Sequence, residues 1–260
     1  MQNPWTMIEG SGPLVAAAIH DGHEMRPEVL TATALDDDER LREEDPYTGQ
    51  LAEILPSRII VHRSRFSVDL NRAREKGVYR TPEDAWGLDV WSEPGLPDDV
   101  AARSLALYDA FNRDLFAFLD RVHKEHGRFV LYDLHTYNHR RGGPEGESAD
   151  PVENPEVNLG TKHIDVDEWH PVIDTFMTTL SAQRLGNHLL DVRENVKFGG
   201  GNFAARVHER YRRDACVLAI EFKKVFMDEW TGTPDPTALA ELKEALAATV
   251  DPVRGVIGQI

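Results

Sequence analysis

Four stretches of this 260-residue chain carry side chains able to bind a metal, grip an anion or move a proton. His20-Asp21-Gly22-His23-Glu24 comes first, and Asp69-Leu70-Asn71-Arg72, His135 and Glu221 follow in that order. Imidazole nitrogens and carboxylate oxygens are the donors that Zn²⁺ takes at about 2.0 to 2.2 Å, and a catalytic zinc keeps one position open. His20 and His23 have the i, i+3 spacing that a turn draws together, while Glu24 competes with His23 for the second place. His135 ends the apolar run Phe129–Leu134 and can add a distant third ligand from another strand. Asp133, two residues earlier, shares its strand face and can hydrogen-bond a ligand imidazole. Without an ion, the first cluster reads as a polar turn with a capping aspartate.

Arg72 supplies a planar guanidinium that matches a carboxylate through two parallel hydrogen bonds, and the Asn71 amide adds a donor without a charge. Arg65 or Arg63 can provide a second cation. The competing account pairs Arg72 with Asp69 or Glu75 at the surface. Glu221 interrupts the apolar run Val217–Phe222, where an unpaired carboxylate is costly. It therefore either meets a cation, such as Lys223 or a buried arginine, or faces a cleft with a raised pKa. In a cleft with a metal, such a carboxylate takes a proton from water and passes it to a leaving nitrogen. Gly199-Gly200-Gly201 lacks the Lys-Ser/Thr of a phosphate loop and the spacing of a dinucleotide fingerprint, so it reads as a hinge or substrate-facing loop.

These residues need a rigid frame. Leu14–Ile19 is a continuous apolar run that ends in polar residues, as a buried central strand does when it delivers side chains to a sheet edge. The runs Arg58–His62, Phe66–Leu70, Phe129–Leu134, Leu189–Val192 and Val217–Phe222 are read as strands too. Open α/β sheets bind ligands at the carboxyl ends of their strands. Apolar residues three to four apart from Asp98 to His126 predict a helix capped by Asp98 or Asp99 and stopped by Gly127. Further helices are expected from about Pro171 to Leu185, Phe203 to Tyr211 and Thr237 to Thr249. Asp36–Asp45 and Gly142–Pro155 are rich in charge, Gly and Pro without an apolar period, and read as surface loops. With no repeat and no break in composition, residues 1–260 are expected to form a single three-layer αβα domain with a mixed, mostly parallel sheet.

Composition narrows the function. A formal charge of −16 disfavours nucleic acid, whose phosphates are held mainly by Lys and Arg. Small anions are still admissible, because a few arginines focused in a cleft outweigh surface charge screened beyond about 10 Å. The single cysteine, Cys216, lies in an apolar run, which excludes an intramolecular disulfide and suits a reducing cytoplasm. The first residues lack the basic start and apolar core of a leader, and Leu14–Ile19 is too short to cross a bilayer, so no membrane partner is expected.

The sequence resembles the N-formylglutamate amidohydrolase family, a branch similar to the zinc carboxypeptidases and aspartoacylases. The resemblance rests on Ala18–His23, Val68–Arg72, Tyr132–Thr136, Asn158–Thr161, Ile220–Phe222 and Val225–Glu229. It implies a zinc carboxypeptidase-like fold, with His20 and His135 as ligands to Zn²⁺ or another divalent metal and either His23 or Glu24 as the second local ligand. It further implies that Asn71 and Arg72, helped by Arg65, hold a substrate carboxylate and that Glu221 is base and acid. The expected substrate is a small carboxylate-bearing N-acyl amino acid, with N-formyl-L-glutamate first. A peptide-cleaving carboxypeptidase and a non-catalytic carboxylate-binding module are the alternatives.

Overall fold

A computed structural model describes residues 3–259. Met1, Gln2 and Ile260 lie outside it, so the start of the chain, read above as lacking a leader, falls partly beyond the described residues. In chain order the strands are β1 (Trp5–Ile8), β2 (Leu14–Ala18), β3 (Ser57–Val61), β4 (Phe129–Tyr137), β5 (Val157–Gly160), β6 (Arg184–Leu185), β7 (His188–Leu189), β8 (Val192–Glu194) and β9 (Ala215–Lys223). The helices are α1 (Pro27–Ala32), α2 (Asp37–Glu43), α3 (Thr48–Ala52), α4 (Asp98–His126), α5 (Val166–Ser181), α6 (Asn202–Tyr211), α7 (Pro236–Ala248) and α8 (Val250–Ile257). Seven strands form one sheet in the order β1-β3-β2-β4-β9-β5-β8, and β6 and β7 make a separate hairpin. β3, β2, β4 and β9 run parallel, β1 and β5 pair antiparallel with β3 and β9, and β8 is parallel to β5. The α/β class and the mixed, mostly parallel sheet agree with the sequence reading.

Side chains alternate across this sheet and build two cores. Leu14, Ala16 and Ala18 of β2, with Val130, Tyr132 and Leu134 of β4, join Trp169 and Phe176 of α5 and Leu242 and Leu246 of α7 on one face. Val15, Ala17, Phe129, Leu131 and Val217 meet Phe111, Leu115 and Phe118 of α4 and Phe203 and Val207 of α6 on the other. Because both faces are covered, β2 and β4 are buried along their whole length, which explains their unbroken apolar runs. Asp133, His135, Ala219 and Glu221 have the strand parity of the α4/α6 face. They lie beyond the last large apolar residues there, where the sheet edge opens.

Several local expectations are corrected, among them the strand Leu189–Val192, whose first residue closes β7 and whose last opens β8. Phe66–Leu70 is not a strand but a run of turns, in which the Asp69 carboxylate accepts the Asn71 N–H at 2.8 Å; all five residues are buried, without the alternation of a pleated strand. Asp36–Asp45 is not an exposed loop: α2 starts at a capping box made by Asp36 and Glu39, and Glu43, Glu44 and Asp45 are buried. α5 begins at Val166, not Pro171. Pro171 has no N–H for the carbonyl of Asp167, and the ring nitrogen Nδ1 of His170 lies 3.2 Å from that oxygen instead. α4 spans Asp98–His126 as expected, with Pro97 rather than an aspartate at its N-cap and Gly127 closing it at φ 74°.

Candidate active site

The parallel strands bring their carboxyl ends to one edge. His20 lies just past β2, and its carbonyl accepts the Asp45 N–H at 2.9 Å, which pins the α2–α3 connection against the strand end. Thr48 Oγ1 donates to the Asp45 carbonyl at 2.7 Å, and the Gly49 N–H donates to Asp21 at 2.8 Å. A Cβ on Gly49 would lie 2.5 Å from Asp21, so glycine is what permits this approach. His135 pairs in register with Glu221 of β9, and Glu221 pairs in turn with Asn158 of β5. Asn158 Oδ1 accepts the Lys197 N–H at 2.8 Å, which fixes the loop leading to Gly199–Gly201.

His20, Asp45 and His135 each offer a ligand atom, and the three atoms lie within 4.8 Å of one another. Both imidazoles turn Nδ1 towards Asp45 Oδ2, at 3.3 Å from His20 and 3.0 Å from His135. Both present Nε2 to a second carboxylate: Asp69 Oδ1 at 2.9 Å from His20, and Asp133 Oδ1 at 2.9 Å from His135. Thr136 Oγ1 donates to the other Asp45 oxygen at 3.0 Å. An imidazole between an ion and a carboxylate is the usual way that a metal-binding histidine is oriented and made more basic.

The charge balance fits a cation. His20 Nδ1 and both oxygens of Asp133 are buried without a hydrogen-bond partner; the Asp133 contact to His135 is close but misaligned. Burial opposes an imidazolium at His135, yet Asp133, Asp45 and Glu221 outweigh it and hold its pKa well above the ordinary value. Burial also works against the Asp45 carboxylate, but the two imidazoles keep it well below the usual range. Asp69 is likewise depressed against burial by Arg65 and His20. Nitrogen and carboxylate donors in this arrangement suit Zn²⁺ and similar divalent ions.

Glu221 stands beside this group in strand register with His135, and its carboxylate has no hydrogen-bond partner among the described residues. Burial pushes its carboxyl up to about 7, Asp45 and Asp133 add to the rise, and His135 and Arg65 oppose it. A cavity of about 360 Å³ opens over His20, Asp45, His135 and Glu221 and is walled by Asn71, Arg65, Trp86, Lys197 and Gly199–Gly201. Arg65 donates to Asp69 Oδ2 at 2.9 Å and to the Tyr79 hydroxyl at 3.2 Å, and its guanidinium stacks 4.7 Å from the Trp86 ring. Asn71 Oδ1 accepts the Phe203 N–H at 2.9 Å and so caps α6, while the residue lines the cavity. A Cβ on Gly201 would come within 2.2 Å of Asn71, so this contact also depends on glycine.

The expected residues divide. His20, His135, Glu221, Arg65 and Asn71 converge on the cavity. His23 and Glu24 stand apart from the His20–Asp45–His135 group: His23 Nδ1 pairs with Glu44 at 2.6 Å, and Glu24 pairs with Arg63 at 3.0 Å. The chain turns after Gly22, which packs so closely on the residues just past β3 that a Cβ would meet the His62 backbone at 2.1 Å, and this carries both side chains away from His20. Arg72 does not line the cavity either. It donates to the Asp84 carbonyl at 2.7 Å, lies 3.5 Å from Asp69 Oδ2 and stacks over Tyr79. Asp45 completes the group that could hold a metal and escaped the sequence reading; the sign of it was the capping pair Asp36 and Glu39, which makes the segment before it a helix.

A family model described as N-formylglutamate amidohydrolase matches residues 12–227. Among solved structures, the chain is similar to the N-formylglutamate amidohydrolase from Ralstonia eutropha JMP134, with a TM-score of 0.76 at 17% identity over 99% of each chain. It is also similar to a gene product of Agrobacterium tumefaciens, with a TM-score of 0.60 at 17% identity over 95% of this chain and 91% of the other. No curated protein matches. The matched residues run from before β2 to beyond β9 and so include every cavity residue named above, and on that match the chain belongs to the N-formylglutamate amidohydrolase family.

Proposed function

We propose that this protein is a zinc-dependent, or other divalent-metal-dependent, amidohydrolase that converts N-formyl-L-glutamate and water to formate and L-glutamate. The observation that carries this reading is the convergence of His20, Asp45 and His135 beside Glu221 in one cavity. A metal held by those three ligands would polarise the scissile carbonyl and lower the pKa of the attacking water. Glu221, with a pKa near neutrality, takes a proton from that water and returns it to the departing amine. Arg65 and Asn71 hold the substrate carboxylate so that the acyl group meets the metal site. Arg72 backs this clamp from behind through Asp69 and Tyr79. Asp69 and Asp133 orient the two imidazoles.

The reading treats residues 1–260 as one catalytic domain, because every assigned group comes from one sheet and its connections. No described helix is long and apolar enough to cross a membrane. A cytoplasmic location is part of the proposal and accords with the single buried thiol of Cys216.

The test is metal analysis of the purified protein followed by formate release from N-formyl-L-glutamate. Roughly one divalent ion per chain is expected, with activity lost to a chelator and restored by zinc. Full turnover by metal-free protein, or no turnover of formylated acidic amino acids by the loaded one, would refute the reading.

A further inference from the structure

The residues just beyond β4 carry an unused recognition group. Asn138 follows Tyr137, is 6% exposed and lines both the catalytic cavity and an adjoining pocket of about 220 Å³ between Trp86 and Trp230. Its Oδ1 is buried with no hydrogen-bond partner, and no described residue bonds its Nδ2. A half-turn of the amide exchanges the two atoms without supplying either with a partner. A buried polar group left unpaired costs free energy: a ligand that donates recovers it at Oδ1, and one that accepts pairs with Nδ2.

The position of Asn138 is well fixed. Tyr137 is paired in register with Lys223 of β9 on one side. On the other, Glu229 accepts the N–H groups of His139 and Arg140, each at 2.8 Å. Two arginines stand at the same junction, with Arg141 forked onto Glu43 at 3.1 and 3.2 Å and Arg42 stacked 4.2 Å from the Trp230 ring. Polar recognition at this point is therefore preorganised, with charge close by.

Resting on the amidohydrolase reading above, we propose that Asn138 is a specificity-determining residue that hydrogen-bonds the planar polar end of the substrate side chain, a carboxylate or a carboxamide, where the catalytic cavity joins the pocket between Trp86 and Trp230. An unpaired amide offers two donors and an acceptor. The donors meet either side-chain end, and the acceptor is used only by a carboxamide. A hydrocarbon end leaves Asn138 unpaired and is discriminated against for that reason.

The experiment compares kcat/KM for N-formylglutamate, N-formylglutamine and N-formylnorleucine in the metal-loaded wild type, Asn138→Leu and Asn138→Asp. Asn138→Leu should lower kcat/KM roughly tenfold to a hundredfold for the two polar substrates and spare formylnorleucine. Asn138→Asp should penalise formylglutamate through like charge and spare formylglutamine. An equal fall for all three substrates, or no fall for any, would overturn the assignment while leaving the amidohydrolase reading intact. If the wild type hydrolyses none of them, that reading fails, and calorimetric binding of glutamate and glutamine to wild type and Asn138→Leu decides the side-chain contact. Loss of binding in the variant supports it, and equal binding sinks it.

Discussion

The Glu221 carboxyl is raised chiefly by burial, and its charged neighbours modify that rise. Asp45 and Asp133 disfavour its ionised form, burial does so more strongly, and His135 and Arg65 only partly compensate. Replacing it with glutamine keeps the shape and removes the proton acceptor, so kcat should fall at least about 10²-fold with metal content unchanged. Wild-type turnover in Glu221→Gln would remove Glu221 from the mechanism. In metal-free protein the same residue has a stability signature. Its folded pKa of about 7 lies above the ordinary 4.5, so its contribution is complete below pH 4.5 and is lost as pH rises through 7. Glu221→Gln should therefore gain on wild type between pH 5 and pH 8 by on the order of 2–3 kcal/mol in urea unfolding. Parallel pH curves for the two proteins would show that Glu221 is not destabilised in the fold. Asp69 acts one contact further out, holding His20 Nε2 at 2.9 Å while balancing Arg65. Asp69→Asn should weaken metal affinity roughly 10- to 100-fold in competition with a chelating dye, and unchanged affinity would mean that His20 needs no such support.

At the scale of elements, the site depends on short pieces whose stability is local. α2 has no apolar stripe; it starts at the reciprocal capping of Asp36 and Glu39 and ends by burying Glu43 just before Asp45. Asp36→Ala should cost about 1 kcal/mol and weaken metal binding as well, because the ligand loop is hung from that helix. A stability loss with metal affinity untouched would show that the Asp45–His20 backbone bond suffices. The same element shows what the sequence conceals. α4, β4 and β9 are legible because their apolar residues repeat at 3.6 or form long buried runs, and the expected strand ends coincide with the cavity that His135 and Glu221 line. α2 was missed because helicity set by caps has no such period, and Asp45 was lost with it. Phe66–Leu70 imitated a strand because Phe66, Val68 and Leu70 alternate, although Asp69 gathers four hydrogen bonds that only a turn accommodates. The sequence reading makes Arg72 the main clamp and Arg65 its helper for the same reason: the course of that turn brings Arg65, not Arg72, to the cavity.

The whole molecule sets a stable frame against an electrostatically strained centre. Two apolar layers clamp a sheet whose order, with β9 between β4 and β5, follows from long crossovers that no local pattern encodes. The class of the fold was readable from runs buried on both sides, whereas the strand order, and with it the pairing of His135 with Glu221, was not. At the open edge of this frame Asp45, Asp69, Asp133 and Glu221 face Arg65 and Lys224, and burial lowers the Lys224 pKa to about 8. A cluster of carboxylates shielded from water, balanced without a metal partly by a proton on His135, favours the folded state most when a divalent ion is present. Zinc at about a thousand times its dissociation constant should add roughly 4 kcal/mol to the stability of the metal-free protein. For a chain of this size that is a rise in melting temperature on the order of 10 °C, read by calorimetry before and after dialysis against chelator. Asp45→Asn should lose most of this rise, because it removes the carboxylate on which both imidazoles converge. A melting temperature indifferent to chelator and zinc in the wild type would show that the cluster is held together by protons alone, with His135 charged in place of a metal.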